Sequence, residues 1–230
     1  MNRILIMVYI LLYIVVGCED SKKKSGNLTS SHQKTKINKY LSIHDLKTLE
    51  NKLKSTAEEK IATTRRLAEA SIVGITRLYQ DNEDFKDGIV IAAKILDSNP
   101  KLRILIIDKL ISPFDSSWFI DISNENKIVE LGWGFLGSTT DFSPSKYPKR
   151  KFKWGKHRKV ECLEATVIAL RYYKSRFQAN SKNMAIRTEH FPGSEDWRVT
   201  ITSYSIKNSN QKIIRVRENG NFSLLSSIKK

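Results

Sequence analysis

At 230 residues the chain exceeds the usual size of one domain by too little to demand two cores. Its 40% hydrophobic and 28% charged residues exclude wholesale disorder and are enough for a packed interior. Forty Lys and Arg against 24 Asp and Glu give +16, a balance that favours anionic partners, although a Lys-rich background alone produces the same figure.

The chain begins Met1, Asn2, Arg3 and then runs through apolar residues without interruption from Ile4 to Val16. This stretch is shorter than the roughly 20 residues a helix needs to cross a bilayer. A short positive start followed by a short apolar segment is the pattern of a secretory signal peptide, here residues 1–17. The segment ends in Val15-Val16-Gly17-Cys18 rather than in a small-x-small site. That tetrapeptide resembles the lipobox of bacterial lipoproteins. The resemblance covers residues 1–18 and implies that Cys18 is acylated, becomes the first mature residue and anchors the protein to a membrane. Glu19 and Asp20 occupy positions that influence sorting between membranes by rules that differ among bacterial groups. The outer membrane or cell surface is expected in preference to the inner membrane.

Cys162 is the only other cysteine. With Cys18 lipidated no intrachain disulfide forms, and Cys162, in a helical apolar pattern, reads as an inert buried thiol. From Cys18 to Leu41 the chain is rich in Lys, Ser, Thr, Asn and Gln and poor in large apolar residues. Such a segment reads as a flexible tether that holds the body on the order of 25 Å from the membrane.

The body is expected over 42–228, as one α+β domain with a helical N-terminal half. Ser42-Ile43-His44-Asp45 has the form of a capping box. Leu46, Leu49, Leu53, Ala57 and Ile61, then Ala68, Ile72, Ile75 and Tyr79, recur at steps of three and four, predicting helix in one or two pieces up to Gln80. Further helices are predicted over Phe85–Leu96 and over Lys101–Ile111, the last closed by Pro113, so that 42–112 reads as the helical part.

The period changes at Trp118. Trp118 to Ile122 and Ile128 to Leu131 predict a hairpin around Ser123–Lys127. Gly132, Gly134 and Gly137 follow no nucleotide-binding spacing and read as bends in strands.

Between Asp141 and Glu161 there is no acidic residue, while Lys146, Lys149, Arg150, Lys151, Lys153, Lys156, Arg158 and Lys159 are all basic. Phe142, Tyr147, Phe152 and Trp154 are interleaved with them, and His157 adds charge at mildly acidic pH. Basic residues at this density offer multivalent contacts to phosphate or sulfate, and the aromatics a surface for stacking. Lys149, Arg150, Lys151, Lys153, Trp154, Lys156, Arg158 and Lys159 are therefore the candidate ligand-binding residues. Lys149 to Lys153 and Lys156 to Lys159 resemble the short basic clusters of heparin-binding proteins. The competing interpretation is a solvated loop whose aromatics pack inward.

A helix from Arg158 to Phe177 follows, with Leu163, Val167, Leu170 and Phe177 on one face and charges that suit its dipole. Strands are predicted over Met184–His190, Trp197–Ile206, Gln211–Arg217 and Asn221–Ser227, with a two-residue hairpin turn at Asn219-Gly220. One helix followed by an antiparallel meander over 158–227 resembles the cystatin or NTF2-like arrangement, a likeness of element order that carries no functional residues.

No catalytic motif is present. His32, His44, His157 and His190 lack metal-ligand spacing, and no nucleophile elbow occurs. Glu189-His190 and Glu195-Asp196 around Pro192-Gly193 would suit acid–base work only if they faced a cleft. No enzyme activity and no cofactor are expected. The expected role is a binding lipoprotein whose basic loop meets an anionic glycan, an anionic lipid or an acidic host or envelope protein. The alternative is a periplasm-facing accessory lipoprotein of envelope, secretion or conjugation machinery. Nucleic acid fits the charge but not an exported address, and Lys229-Lys230 offers a ligand to lysine-binding modules.

Overall fold

The computed structural model describes residues 40–54, 63–80, 85–96, 102–108, 117–133, 151–152, 159–177, 180–205 and 209–229, all within the compact unit Asn38–Lys230. In chain order they form α1 (Ile43–Lys54), α2 (Thr63–Gln80), β1 (Gly88–Ile95), β2 (Leu102–Asp108), β3 (Ser117–Ile122), β4 (Ile128–Trp133), α3 (Cys162–Arg176), β5 (Asn183–His190), β6 (Trp197–Tyr204), β7 (Ser209–Val216) and β8 (Phe222–Lys229). The strands make one antiparallel sheet in the order β4-β3-β2-β1-β5-β6-β7-β8. The class is α+β.

Helix α1 begins where the capping box placed it. The Ser42 backbone N–H donates to Asp45 Oδ2 at 2.7 Å, and the Asp45 N–H donates back to Ser42 Oγ at 3.3 Å, satisfying two of the donors a helix start leaves free. The helical first part, however, extends only to Gln80 among the described residues. The helices expected over Phe85–Leu96 and Lys101–Ile111 are instead strands β1 and β2. Ile89-Val90-Ile91 and Ile104 to Ile107 are short apolar runs that fit either period. Their β-branched content and their place inside the sheet, where both edges are paired, decide for strand.

The element order α-β-β-β-β occurs twice, and the two copies superpose in sequence at a nearly constant step. Ile91 pairs with Ile106 as Ile186 pairs with Ile201, each residue of the second pair lying 95 positions after its counterpart. Ile91 and Ile186 also pair with each other, so they sit on a pseudo-two-fold axis through the seam between β1 and β5. Helix burial follows the same step. Leu67, Ala70, Ser71, Gly74, Ile75 and Leu78 are buried in α2, and Cys162, Ala165, Thr166, Ala169, Leu170 and Tyr173 in α3. Even a side-chain hydrogen bond back to the preceding turn repeats: Ser71 Oγ donates to the Leu67 carbonyl and Thr166 Oγ1 to the Cys162 carbonyl, both at 2.8 Å.

The outer hairpins match as well. The Asn126 N–H donates to the Ser123 carbonyl at 3.0 Å and the Gly220 N–H to that of Arg217 at 2.8 Å, with Asn126 at φ 59° and Gly220 at φ 83°. Both are therefore three-residue loops, a tight turn followed by one left-handed residue. The two-residue turn expected at Asn219-Gly220 is corrected to this form, since only Gly220 of the pair has positive φ.

The buried cluster lies between the helices and one face of the sheet, from Leu46 of α1 through Ile89, Ile91, Ile186, Val199 and Ile201 to Phe222. Helix α1 is tied to α3 by a forked ion pair, Arg171 Nε and Nη2 donating to the two Glu50 carboxylate oxygens at 2.8 and 2.5 Å. Cys162 is buried.

Burial also holds the phenols of Tyr172 and Tyr173 above their usual value of 10.0, an effect offset in part by the Arg176 charge and by a hydrogen bond with Ser203 respectively. A raised value means the folded state keeps its protons longer than the unfolded chain does. Their contribution to stability is therefore whole below pH 10.0 and declines as pH rises through the folded values. In an alkaline titration followed by phenolate absorbance, these two rings are expected to ionise in a late phase, above their usual value of 10.0, and Tyr173→Phe to shrink that phase. A single phase near 10, with the fold intact, would contradict this.

Candidate functional site

Of the candidate basic residues, Lys151 and Lys159 are described, and both are exposed. Cys18, Lys149, Arg150, Lys153, Trp154, Lys156 and Arg158 lie outside the described residues, as do Phe142 and Tyr147. Phe152 turns inward: its ring stacks on Tyr79 at 4.3 Å between centroids, and Tyr79 Oη donates to Glu164 Oε1 at 3.4 Å. Glu164 Oε2 in turn accepts the backbone N–H of Glu161 at 3.1 Å, capping α3. That cap starts the helix at Cys162 rather than at the expected Arg158. Lys159-Val160 therefore stands at the first turn of α3, and Phe152 is linked to that turn through Tyr79.

The same place receives the residues that lead into α1. Leu41 pairs with Phe222, the first residue of β8, through two backbone hydrogen bonds of 2.7 and 2.8 Å. Tyr40 and Leu41, expected to be tether, thus belong to the body. The Arg217 guanidinium lies 3.7 Å from the centre of the Tyr40 ring. One residue on, the Val160 N–H donates to the Glu218 carbonyl at 2.9 Å, and the Trp197 indole N–H donates to the Val160 carbonyl at 2.8 Å. Gly220 is packed so closely between these segments that a Cβ there would lie 3.2 Å from Ile43 Cδ1 and 3.7 Å from Val160 Cγ2. Tyr40-Leu41, Lys159-Val160 and the β7–β8 turn form one corner, where Lys159 and Arg217 are exposed cations.

Acidic groups share this end of the sheet. Lys159 Nζ is 3.4 Å from Glu195, with about two thirds of each side chain in solvent, a pair of little energetic weight. Asp196 Oδ2 accepts Arg215 Nε at 2.6 Å, and its Oδ1 accepts the Glu218 N–H at 3.3 Å. Arg215 and Arg198 lie against the Phe191 ring at 4.5 and 5.1 Å.

The carboxylate and imidazole cluster does not gather around a common space. Glu189 is held by Arg187 at 3.0 Å and Arg198 at 3.8 Å. The His190 ring stacks on Trp197 at 3.9 Å and its Nε2 donates to the Lys86 carbonyl at 3.2 Å. Among the described residues no group of three His, Cys, Asp or Glu is placed to hold a metal ion, and no helix is long and apolar enough to cross a membrane.

Tyr40 and Arg217 are the corner residues that sequence reasoning missed. Tyr40 sits in a polar run that hides its role, and Arg217 is one of many cations. No family model, curated protein or solved structure matches the chain.

Proposed function

We propose that the protein is an exported lipoprotein, anchored through Cys18, whose body binds an anionic ligand through the basic stretch 146–159. The observation that carries the reading is the pairing of Val15-Val16-Gly17-Cys18 behind a short apolar leader with eight cations uninterrupted by any acidic residue. Exposure of Lys151 and Lys159 supports it. So does the fixing of Phe152 within the stretch and of Val160 just after it. Its cell-surface or outer-membrane address is part of the proposal.

The test is retention on a heparin column. Replacing Lys149, Arg150, Lys151 and Lys153 by Gln is expected to remove salt-sensitive retention while leaving the circular dichroism spectrum and melting temperature of the body in place. Retention unchanged by the fourfold variant would end the assignment of this stretch. A second reading, an accessory protein contacting other envelope proteins, is favoured by the edge strand β8. There Leu225 and Ile228 are each 39% exposed, and an edge strand offers backbone hydrogen bonds to an incoming chain.

A further inference from the structure

The corner where the tether ends points to the identity of the anionic ligand. We infer that the corner formed by Tyr40, Lys159 and Arg217 docks on the anionic headgroups of the bilayer that holds the lipid; this rests on the lipoprotein reading above.

Three observations converge on it. The residues between Cys18 and Tyr40 form the covalent route from the anchor to the body, and that route ends at Leu41 on Phe222. Of all parts of the body, this corner reaches the membrane with the least stretching of the tether, so it samples the surface at the highest effective concentration. Lys159 belongs to the stretch without acidic residues, and Arg217 adds a second cation on the adjoining turn. Finally, Tyr40 carries the Arg217 guanidinium on its ring at 3.7 Å. An amphipathic ring beside a cation is a pair that suits the headgroup layer.

The chemistry is that of two weak signals acting together. A lipid chain and a basic patch each hold a protein marginally, and their combination holds it firmly. Each cation near an anionic surface is worth roughly fivefold in partition and fades within a Debye length. Glu195 and Glu218 at the same corner oppose the attraction. The exposed pair of Lys159 with Glu195, at 3.4 Å, opens at little cost when a headgroup phosphate competes for the ammonium group.

The strands supply an internal control. Lys94, Lys127 and Lys182 are exposed at the opposite end, beside the end of β1, in the β3–β4 turn and before the start of β5. The experiment uses the mature chain carrying Cys18→Ser. It measures sedimentation with vesicles of phosphatidylcholine alone or with one third phosphatidylglycerol.

Binding is expected only to the anionic vesicles, falling steeply with salt. The variant Lys159→Gln/Arg217→Gln is expected to lose about twenty-five-fold in partition, following the fivefold per cation above. Lys94→Gln/Lys182→Gln, with the same net charge, is expected to lose only severalfold. Equal losses in the two variants would overturn the corner as the docking surface. Absence of vesicle binding while heparin retention persists would overturn the lipid as ligand and leave a glycan. Loss of both would sink the anionic-ligand reading itself.

Discussion

Gly88→Ala is expected to cost about 3 kcal/mol and to lower the melting temperature by about 10 °C for a domain of this size. Gly88 opens β1 with φ 129°, a conformation side chains resist, and a Cβ there would stand 2.4 Å from the carbonyl oxygen of Thr188. That oxygen belongs to backbone, and the pairing of Gly88 with Glu189 lies at one end of the seam joining the two repeats. The neighbour therefore cannot yield without disturbing the register. Gly193 supplies the comparison: its φ of 71° is also positive, yet nothing lies within 4 Å of a Cβ built on it. Gly193→Ala should cost only about 1 kcal/mol, the penalty for the left-handed backbone alone. Thermal unfolding of both variants checks the pair of values, and equal losses would mean that the close approach at Thr188 is without energetic weight.

The second large effect concerns Cys18. If this residue is acylated, Cys18→Ser removes the only site of attachment, because each buried methylene of an acyl chain contributes about 0.8 kcal/mol to membrane affinity. Metabolic labelling with palmitate is expected to disappear and the protein to move from the membrane to the soluble fraction at physiological salt. Residual membrane association at low salt is expected from the basic corner and should vanish on adding salt. Labelling that persisted in the serine variant would show that Cys18 is not the acylated residue.

What was legible in the sequence follows from the range of the interactions involved. The capping box of Ser42 and Asp45 and the hairpin around Ser123–Lys127 depend on residues within a few positions of one another, and local pattern finds them. Strands β1 and β2 were hidden because Ile89 and Ile106 owe their state to neighbours across the sheet, among them Thr188 and Trp118, far along the chain. The duplication was hidden for a related reason. Positions 95 apart conserve size and burial rather than identity, as with Ser71 and Thr166 or Gly74 and Ala169, and only the shared strand register exposes them.

The candidate site divides the same way. The run of cations is visible in composition, whereas the joining of Tyr40, Val160 and Gly220 at one corner is a product of packing. Glu189, His190, Glu195 and Asp196, close together in sequence, each have a separate partner.

The seam between β1 and β5 bears on how the chain comes to fold. During synthesis the first meander is complete once Trp133 has emerged, yet the β1 edge that β5 will cover stays open until residues up to His190 follow. Through that interval the nascent first repeat presents a free edge lined by Ile89, Val90 and Ile91, the kind of surface that captures a neighbouring chain. A second copy of the same protein would offer an equivalent edge. A stall between the repeats is therefore the moment when this molecule is most exposed to misassembly with its own kind.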